Sequence, residues 1–281
     1  MRQRLWQRIW PHLVLIPITL MTLYPVLWVV KMALSPSQTF DATPIPIPTE
    51  FSLDNFAHIL GERNQDGTLL FFRQTLNSVI VAGITTLVGI FLSCTAAYAF
   101  SKFKFPGRDK ALAGFLLTQI FPGVVMTVPL YIILDKLGLL NTLLGLSLVY
   151  STTAIPFCTY MLKGYFDTIP KELEEAARID GASDFTIFWR IVLPLARPAI
   201  AVTALFSFMT AWNEFILAAT FMGDETSFTL PVALQRYVGE YQTQWGYFAA
   251  GAILASSVVM ALFFALQKQL IGGLTAGGVK G

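Results

Sequence analysis

At 281 residues, 55% hydrophobic and only 13% charged, the chain is not a soluble domain, because soluble chains carry about 25% charged residues. A net charge of +2 gives nucleic acid no electrostatic footprint. The length suits one membrane domain of several spans, each needing about 20 apolar residues.

In chain order, hydropathy predicts an all-α membrane protein with six transmembrane helices, at roughly 12–34, 75–100, 111–134, 142–162, 195–220 and 246–270. The start, Met1-Arg2-Gln3-Arg4 and then an apolar run from Leu13 to Leu34, imitates a signal peptide. The run is too long for such a leader's core and has no A-x-A site, so it reads as a retained first span. The domain plan is an N-terminal segment 1–11, a transmembrane domain 12–271 with loops at 35–74, 163–194 and 221–245, and a tail 272–281.

The first long loop carries Pro44-Ile45-Pro46-Ile47-Pro48, an extended spacer. Ser52 to Leu60 reads as a short capped surface helix without a legible role. Tyr98 to Gly107 forms a tight turn with basic residues at headgroup depth. Cys94 and Cys158 lie in apolar runs, with neither a C-x-x-C pair nor a nearby His, so neither a disulfide nor a metal site is expected. His12 and His58 are isolated.

In the third span, Pro122-Gly123 and Pro129 should kink or break the helix. Freed backbone at membrane depth must face protein or a water-filled cavity, so a pathway lining from Gln119 to Pro129 and a packed kink fit equally well. The fifth span holds Trp212-Asn213-Glu214-Phe215, and Glu214 is the one acidic residue well inside a predicted span. Such carboxylates usually face a bundle interior or cavity. Pro122, Gly123, Asn213 and Glu214 are therefore the gate or cavity candidates, with structural pairing of Glu214 weighed evenly against a gate. Beyond the fifth span, Val238-Gly239-Glu240-Tyr241-Gln242 forms a polar, aromatic loop tip.

Basic residues set the orientation. Arg2, Arg4, Arg8, Lys102, Lys104, Arg108, Lys110, Lys163, Lys171, Arg178, Arg190, Arg197, Lys268 and Lys280 fall on one side. Only Lys31, Arg63, Arg73, Lys136 and Arg236 fall on the other. The positive-inside rule puts both termini and the loop 163–194 in the cytoplasm.

That loop contains the most informative stretch. Lys171 to Arg178 is a run of helix formers following Pro170, Asp180-Gly181 breaks it, and Ser183 is a good N-cap for a second short helix running toward Pro194. Two helices around a Gly elbow make a rigid projecting knob with a small-residue face at Ala176 and Ala177. The spacing E-A-A-x3-G-x9-I-x-L-P is matched at every fixed position from Glu175 to Pro194. It resembles the EAA loop of bacterial ABC-importer permeases.

From Thr75 onward the chain resembles the MalG-type permeases of maltose and maltodextrin ABC importers. The likeness rests on Gly164-Tyr165-Phe166-Asp167-Thr168-Ile169-Pro170, the EAA run, Leu193-Pro194-Leu195, Trp245 to Ala250, and the tail Gly273 to Gly281. The resemblance implies the type I importer permease fold in the bacterial inner membrane, among lipids. It also implies a non-enzymatic transport subunit without a cofactor of its own. ATP and Mg would be bound by a homodimeric MalK-like ATPase, alongside a second, MalF-like permease and an external sugar-binding protein. Glu174, Glu175, Ala176, Ala177, Asp180, Gly181, Leu193 and Pro194 would couple to the ATPase. Val238, Gly239, Glu240, Tyr241 and Gln242 would form the scoop toward the binding protein. Thr275, Ala276, Gly277, Gly278, Val279 and Lys280 would reach the ATPase interface as a flexible Gly-rich tail.

The residues agree with this without the family. No G-x-x-x-x-G-K-[ST] run is present to cradle ATP phosphates. An ion-coupled carrier, the competing class, calls for paired repeats and midplane ionisable groups, and only Glu214 qualifies. Permeases for galacto-oligosaccharide or trehalose share the pattern. Gly181→Asp is expected to uncouple transport by forcing a Cβ and a charge onto a buried turn of positive φ.

Overall fold

The computed structural model describes the backbone of residues 5–40, 43–239 and 242–278. Among these residues there is no strand, only the isolated bridges Arg63↔Leu69 and Val238↔Thr243. α1 spans Leu5–Leu34, α2 Asp54–Gly61, α3 Leu70–Lys102 and α4 Arg108–Ile120. A 3-10 turn, Gly123–Met126, leads into α5, Thr127–Lys136, and α6 is Leu143–Phe166. Next come α7, Lys171–Ile179; α8, Asp184–Ile187; a π turn, Phe188–Val192; and α9, Leu193–Leu195. The order closes with α10, Arg197–Asn213; α11, Ile216–Phe221; α12, Leu230–Gln235; and α13, Trp245–Gly278.

Four helices, α1, α3, α6 and α13, are each long and apolar enough to cross a membrane, and two bent pairs raise the number to as many as six. The third expected span is one such pair, with α4 and α5 bent by 91°. Pro122 drives Phe121 into extended backbone (φ −71°, ψ 127°), because its ring disfavours helical angles in the preceding residue. Pro129, also expected to disturb the span, lies in the first turn of α5, where a missing N–H costs nothing.

The fifth span differs from the expected continuous run 195–220. The α8–α9 segment meets α10 at 76°, because Pro198 in the first turn of α10 cannot donate back into α9. The helix stops again at Asn213, where Glu214 turns extended (φ −69°, ψ 131°) and α11 starts afresh. The Gly-rich tail also departs from expectation, since the α13 backbone stays helical to Gly278. Gly in a helix costs about 1 kcal/mol, but extending an existing helix adds one hydrogen bond per residue fixed. Val279, Lys280 and Gly281 lie outside the described residues.

The chain divides into two compact units, Met1–Phe72 with Ala233–Ser257, and Arg73–Val232 with Val258–Gly281. In the first unit, the surface helix expected near Ser52–Leu60 is α2, and it has a task. Buried Asn55 donates from Nδ2 to the carbonyls of Ala33 (3.0 Å) and Ser35 (2.7 Å), which the end of α1 leaves unpaired. Gln38 holds Asn55 in turn through a 2.6 Å bond to Oδ1.

In the second unit, a core of Cys94, Ala97 and Tyr98 from α3, Leu162 and Phe166 from α6, and Ile187, Phe188 and Val192 gathers under the α7–α9 segment. The π turn has a local cause. Pro194 offers no N–H to the carbonyl of Arg190, so the preceding turn widens. A row of polar residues on α3 grips the loop before α12: Asn77 Nδ2 donates to the carbonyls of Thr226 (2.8 Å) and Phe228 (3.0 Å), and Ser78 Oγ accepts from Leu230 N (2.7 Å).

Candidate functional site

The knob forms where the sequence places it. α7 follows Pro170, and Ser183 Oγ caps α8 by accepting from Thr186 N at 3.3 Å. Between them, Ala182 N donates to Ala177 O (2.9 Å) and Gly181 N to Arg178 O (3.0 Å). These paired bonds are a Schellman closure, which requires a left-handed residue at the position Gly181 fills, φ +84°. Ala177 and Ala182 both pack against the core beneath the closure, and Arg178 Nη2 clamps the elbow from outside, 3.0 Å from Asp184 Oδ1.

The turn is exposed, with nothing within 4 Å of a Cβ built on Gly181. The expectation of a buried turn is thus corrected: within this chain the constraint on Gly181 is its backbone angle alone. Glu175, Ala176, Ile179 and Asp180 are exposed alongside it, with Ile179 at 87%. With Ile179 beside Asp180 and Glu175, the exposed face of the knob is apolar at its centre and acidic at its edge.

Glu174 points the other way. Its side chain is only 4% exposed and its Oε1 lies 2.7 Å from Lys102 Nζ at the end of α3. Ala177 is half-buried against the core, and Leu193 and Pro194 are half-buried at the far end of the segment. Of the eight residues expected to couple, the structure brings Glu175, Ala176, Asp180 and Gly181 to the exposed face and uses Glu174, Ala177, Leu193 and Pro194 to seat it.

A second staple lies beside the first. Asp167, just beyond α6, accepts from Ser101 Oγ (2.7 Å) and Lys163 Nζ (2.6 Å). Burial alone would raise the Asp167 carboxyl, but the bonds from Lys163 and Ser101 outweigh it and hold it below the usual range. Sequence reasoning took Lys102 as a headgroup-level cation that helps set orientation and did not single out Ser101. A polar pair at the last turn of a long apolar helix was the available signal.

The gate candidates separate in role. Pro122 and Gly123 are exposed at the α4–α5 break, where Gln119 Nε2 donates to Thr153 O at 3.0 Å. Asn213 is exposed and bonds back to Met209 O (2.8 Å). Glu214 is held within the chain, accepting from Leu217 N (2.9 Å), from Ala218 N (3.1 Å) and from the Tyr150 hydroxyl. It caps the start of α11, a place that favours a carboxylate. Its partner Tyr150, a buried hydroxyl on an apolar helix, was not singled out from the sequence.

In the first unit, Val238 bridges to Thr243 and Gln244 N donates to Tyr237 O (2.8 Å), so the expected scoop tip is a narrow hairpin on α12. Gly239 permits it, since a Cβ there would sit 2.5 Å from Gln242 O. Gln242 is exposed, while Glu240 and Tyr241 lie outside the described residues. The hairpin's base is anchored by the Tyr237 hydroxyl donating to Glu62 Oε2 (2.5 Å). Burial, and then this bond, push the Tyr237 pKa up. In the tail, Thr275 to Gly278 continue the α13 backbone, whereas Val279 and Lys280 are outside the described residues.

A polytopic helical membrane subunit, with two spans broken by proline or a capped carboxylate and a Schellman-closed knob between the fourth and fifth, is the architecture of an importer's permease. The chain belongs to the family of binding-protein-dependent transport system inner membrane components, which matches residues 89–274. It is 37% identical to the galactooligosaccharides transport system permease protein GanQ of Bacillus subtilis (strain 168), covering 96% of this chain and 94% of the relative. It is 38% identical to the maltose/maltodextrin transport system permease protein MalG of Vibrio vulnificus (strain YJ016), covering 98% and 96%. Its fold matches a chain of a bacterial ABC transporter that imports the acidic polysaccharide alginate, with TM-score 0.76, 22% identity, and 95% and 98% of the two chains covered. The expected family, type I permease fold and class, an importer's permease subunit, therefore hold.

Proposed function

We propose that this chain is one half of the translocation pathway of an ATP-driven importer for maltose and maltodextrins, moved by alternating access. The observation that carries the mechanism is the α7 knob, whose exposed face is shaped for docking while its root is fixed in the core. ATP and Mg are bound by a partner ATPase dimer, because this chain has no phosphate-cradling loop. A second permease completes the pathway, and an external binding protein delivers sugar to the hairpin at Val238–Gln242. The α13 end, Thr275 to Lys280, lies at the ATPase interface. Both termini and the knob are cytoplasmic, on the side where basic residues gather.

Similarity to both a maltodextrin-type and a galacto-oligosaccharide permease supports an oligosaccharide as cargo. The tail Gly273 to Gly281 favours the former, and GanQ, at nearly equal identity, favours the latter as the second reading. The test is ATP hydrolysis by the complex reconstituted with its binding protein. Stimulation that requires both the binding protein and maltotriose is expected. Stimulation by a galacto-oligosaccharide instead would change the cargo and keep the mechanism, and uptake that follows an ion gradient without ATP would overturn the reading.

A further inference from the structure

Apart from the exposed Arg178–Asp184 clamp at its elbow, α7 meets the rest of the described chain through one buried charged contact. Lys102, the last residue of α3, places Nζ 2.7 Å from Glu174 Oε1, and the two side chains are 5% and 4% exposed. The same ammonium donates to Ile169 O at 3.3 Å, just before α7 begins. One residue earlier, Ser101 binds Asp167 at 2.7 Å, and Lys163 of α6 closes on the same carboxylate at 2.6 Å. The end of α3 therefore grips both the root of α7 and the link leading into it.

Buried pairs of this kind are expensive to assemble and often no more stabilising than apolar packing of the same volume, and their best-attested use is to fix a register. Here the register is easily lost otherwise. Ala176 and Ala177 are too small to lock α7 in rotation, and its outer face is exposed. The elbow bonds and the Arg178–Asp184 clamp hold only its C-terminal end, so a root held by apolar contact alone could still turn. An ion pair at one residue of the inner face removes that freedom, so that Glu175, Ile179 and Gly181 present one face.

We infer that Lys102 and Glu174 are positioning residues for energy coupling, the pair that makes α7 and the end of α3 a single rigid body. Displacement of the knob is then delivered to α3 as well as to α6, which continues into it through the chain. This inference rests on the coupling role proposed above for α7.

The test uses the whole complex in lipid nanodiscs, with Cys94 and Cys158 replaced by serine and spin labels at Ile179 and Lys104. Two readouts are taken: the width of the label-to-label distance distribution, and the maltotriose moved per ATP hydrolysed. In Glu174→Gln and Lys102→Met the distribution should broaden at least twofold and the transport-to-hydrolysis ratio fall several-fold. The exchanged pair, Lys102→Glu with Glu174→Lys, should narrow the distribution again and recover most of the ratio, which separates positioning from a general folding defect. A distribution as narrow in both single variants as in the native chain would overturn the positioning role. Broadening with an unchanged ratio would overturn the link to coupling, and because the distance readout needs no sugar, a wrong cargo cannot be mistaken for either result.

Discussion

At the level of single residues, Gly181 and Glu214 show two ways in which one position fixes a break in a helix. Gly181 does so by backbone angle, holding φ +84° so that two orphan carbonyls of α7 are satisfied. Glu214 does so by side chain, its carboxylate receiving two N–H groups of α11 and the Tyr150 hydroxyl. With its oxygens engaged by Leu217, Ala218 and Tyr150, Glu214 fixes where α11 begins. For Gly181 the open space around the missing Cβ separates backbone from charge. A left-handed angle costs an ordinary residue about 1–2 kcal/mol, but Asn and Asp tolerate it better. Gly181→Asn should thus retain most sugar-stimulated hydrolysis, Gly181→Ala should lose part, and Gly181→Asp, acidic at the docking face, should lose most. Equal loss in the Asn and Asp variants, measured in the reconstituted complex, would return the effect to the turn.

At the level of elements, what the sequence could reveal was what neighbouring residues decide among themselves. Pro170, the Gly181 turn and the Ser183 cap act within a few residues of one another, so the two-helix knob could be read directly. Pro122 likewise announced the α4–α5 break. The ion pair of Lys102 with Glu174, the cap of Asn55 on α1 and the Tyr150–Glu214 bond join residues far apart in the chain. They depend on packing, and hydropathy treats each partner as a lone polar residue. The Asp167 staple carries a pH signature of its own. A carboxyl whose folded pKa is held low contributes stability above its unfolded value, about 3.9, and that contribution is lost as pH falls through the lower folded value. The melting temperature of the native complex should exceed that of Asp167→Asn at pH 7, and the difference should shrink toward zero below about pH 4. A difference that stays constant through acid would show that Asp167 acts through shape and not through its charge.

At the level of the whole molecule, orientation decides whether the knob and the hairpin can serve the partners assigned to them. The proposed roles require Ile179 to be reached from the cytoplasm, where an ATPase would dock, and Gln242 from outside, where a sugar would be delivered; both residues are exposed. An odd number of crossings would separate them, since the fifth span expected from hydropathy at 195–220 is the single crossing between Ile179 and Gln242. The charge argument reaches the same arrangement independently, since short basic loops stay on the cytoplasmic side. Single cysteines at these tips test both at once, because Cys94 and Cys158 are buried and should stay silent to an impermeant maleimide. Gln242→Cys should label in intact spheroplasts, whereas Ile179→Cys should label only after permeabilisation. Labelling of both from outside would mean that α10 and α11 do not cross the membrane. Labelling of Ile179→Cys alone would invert the chain, placing the knob where no ATPase can reach it and leaving the coupling role without a partner.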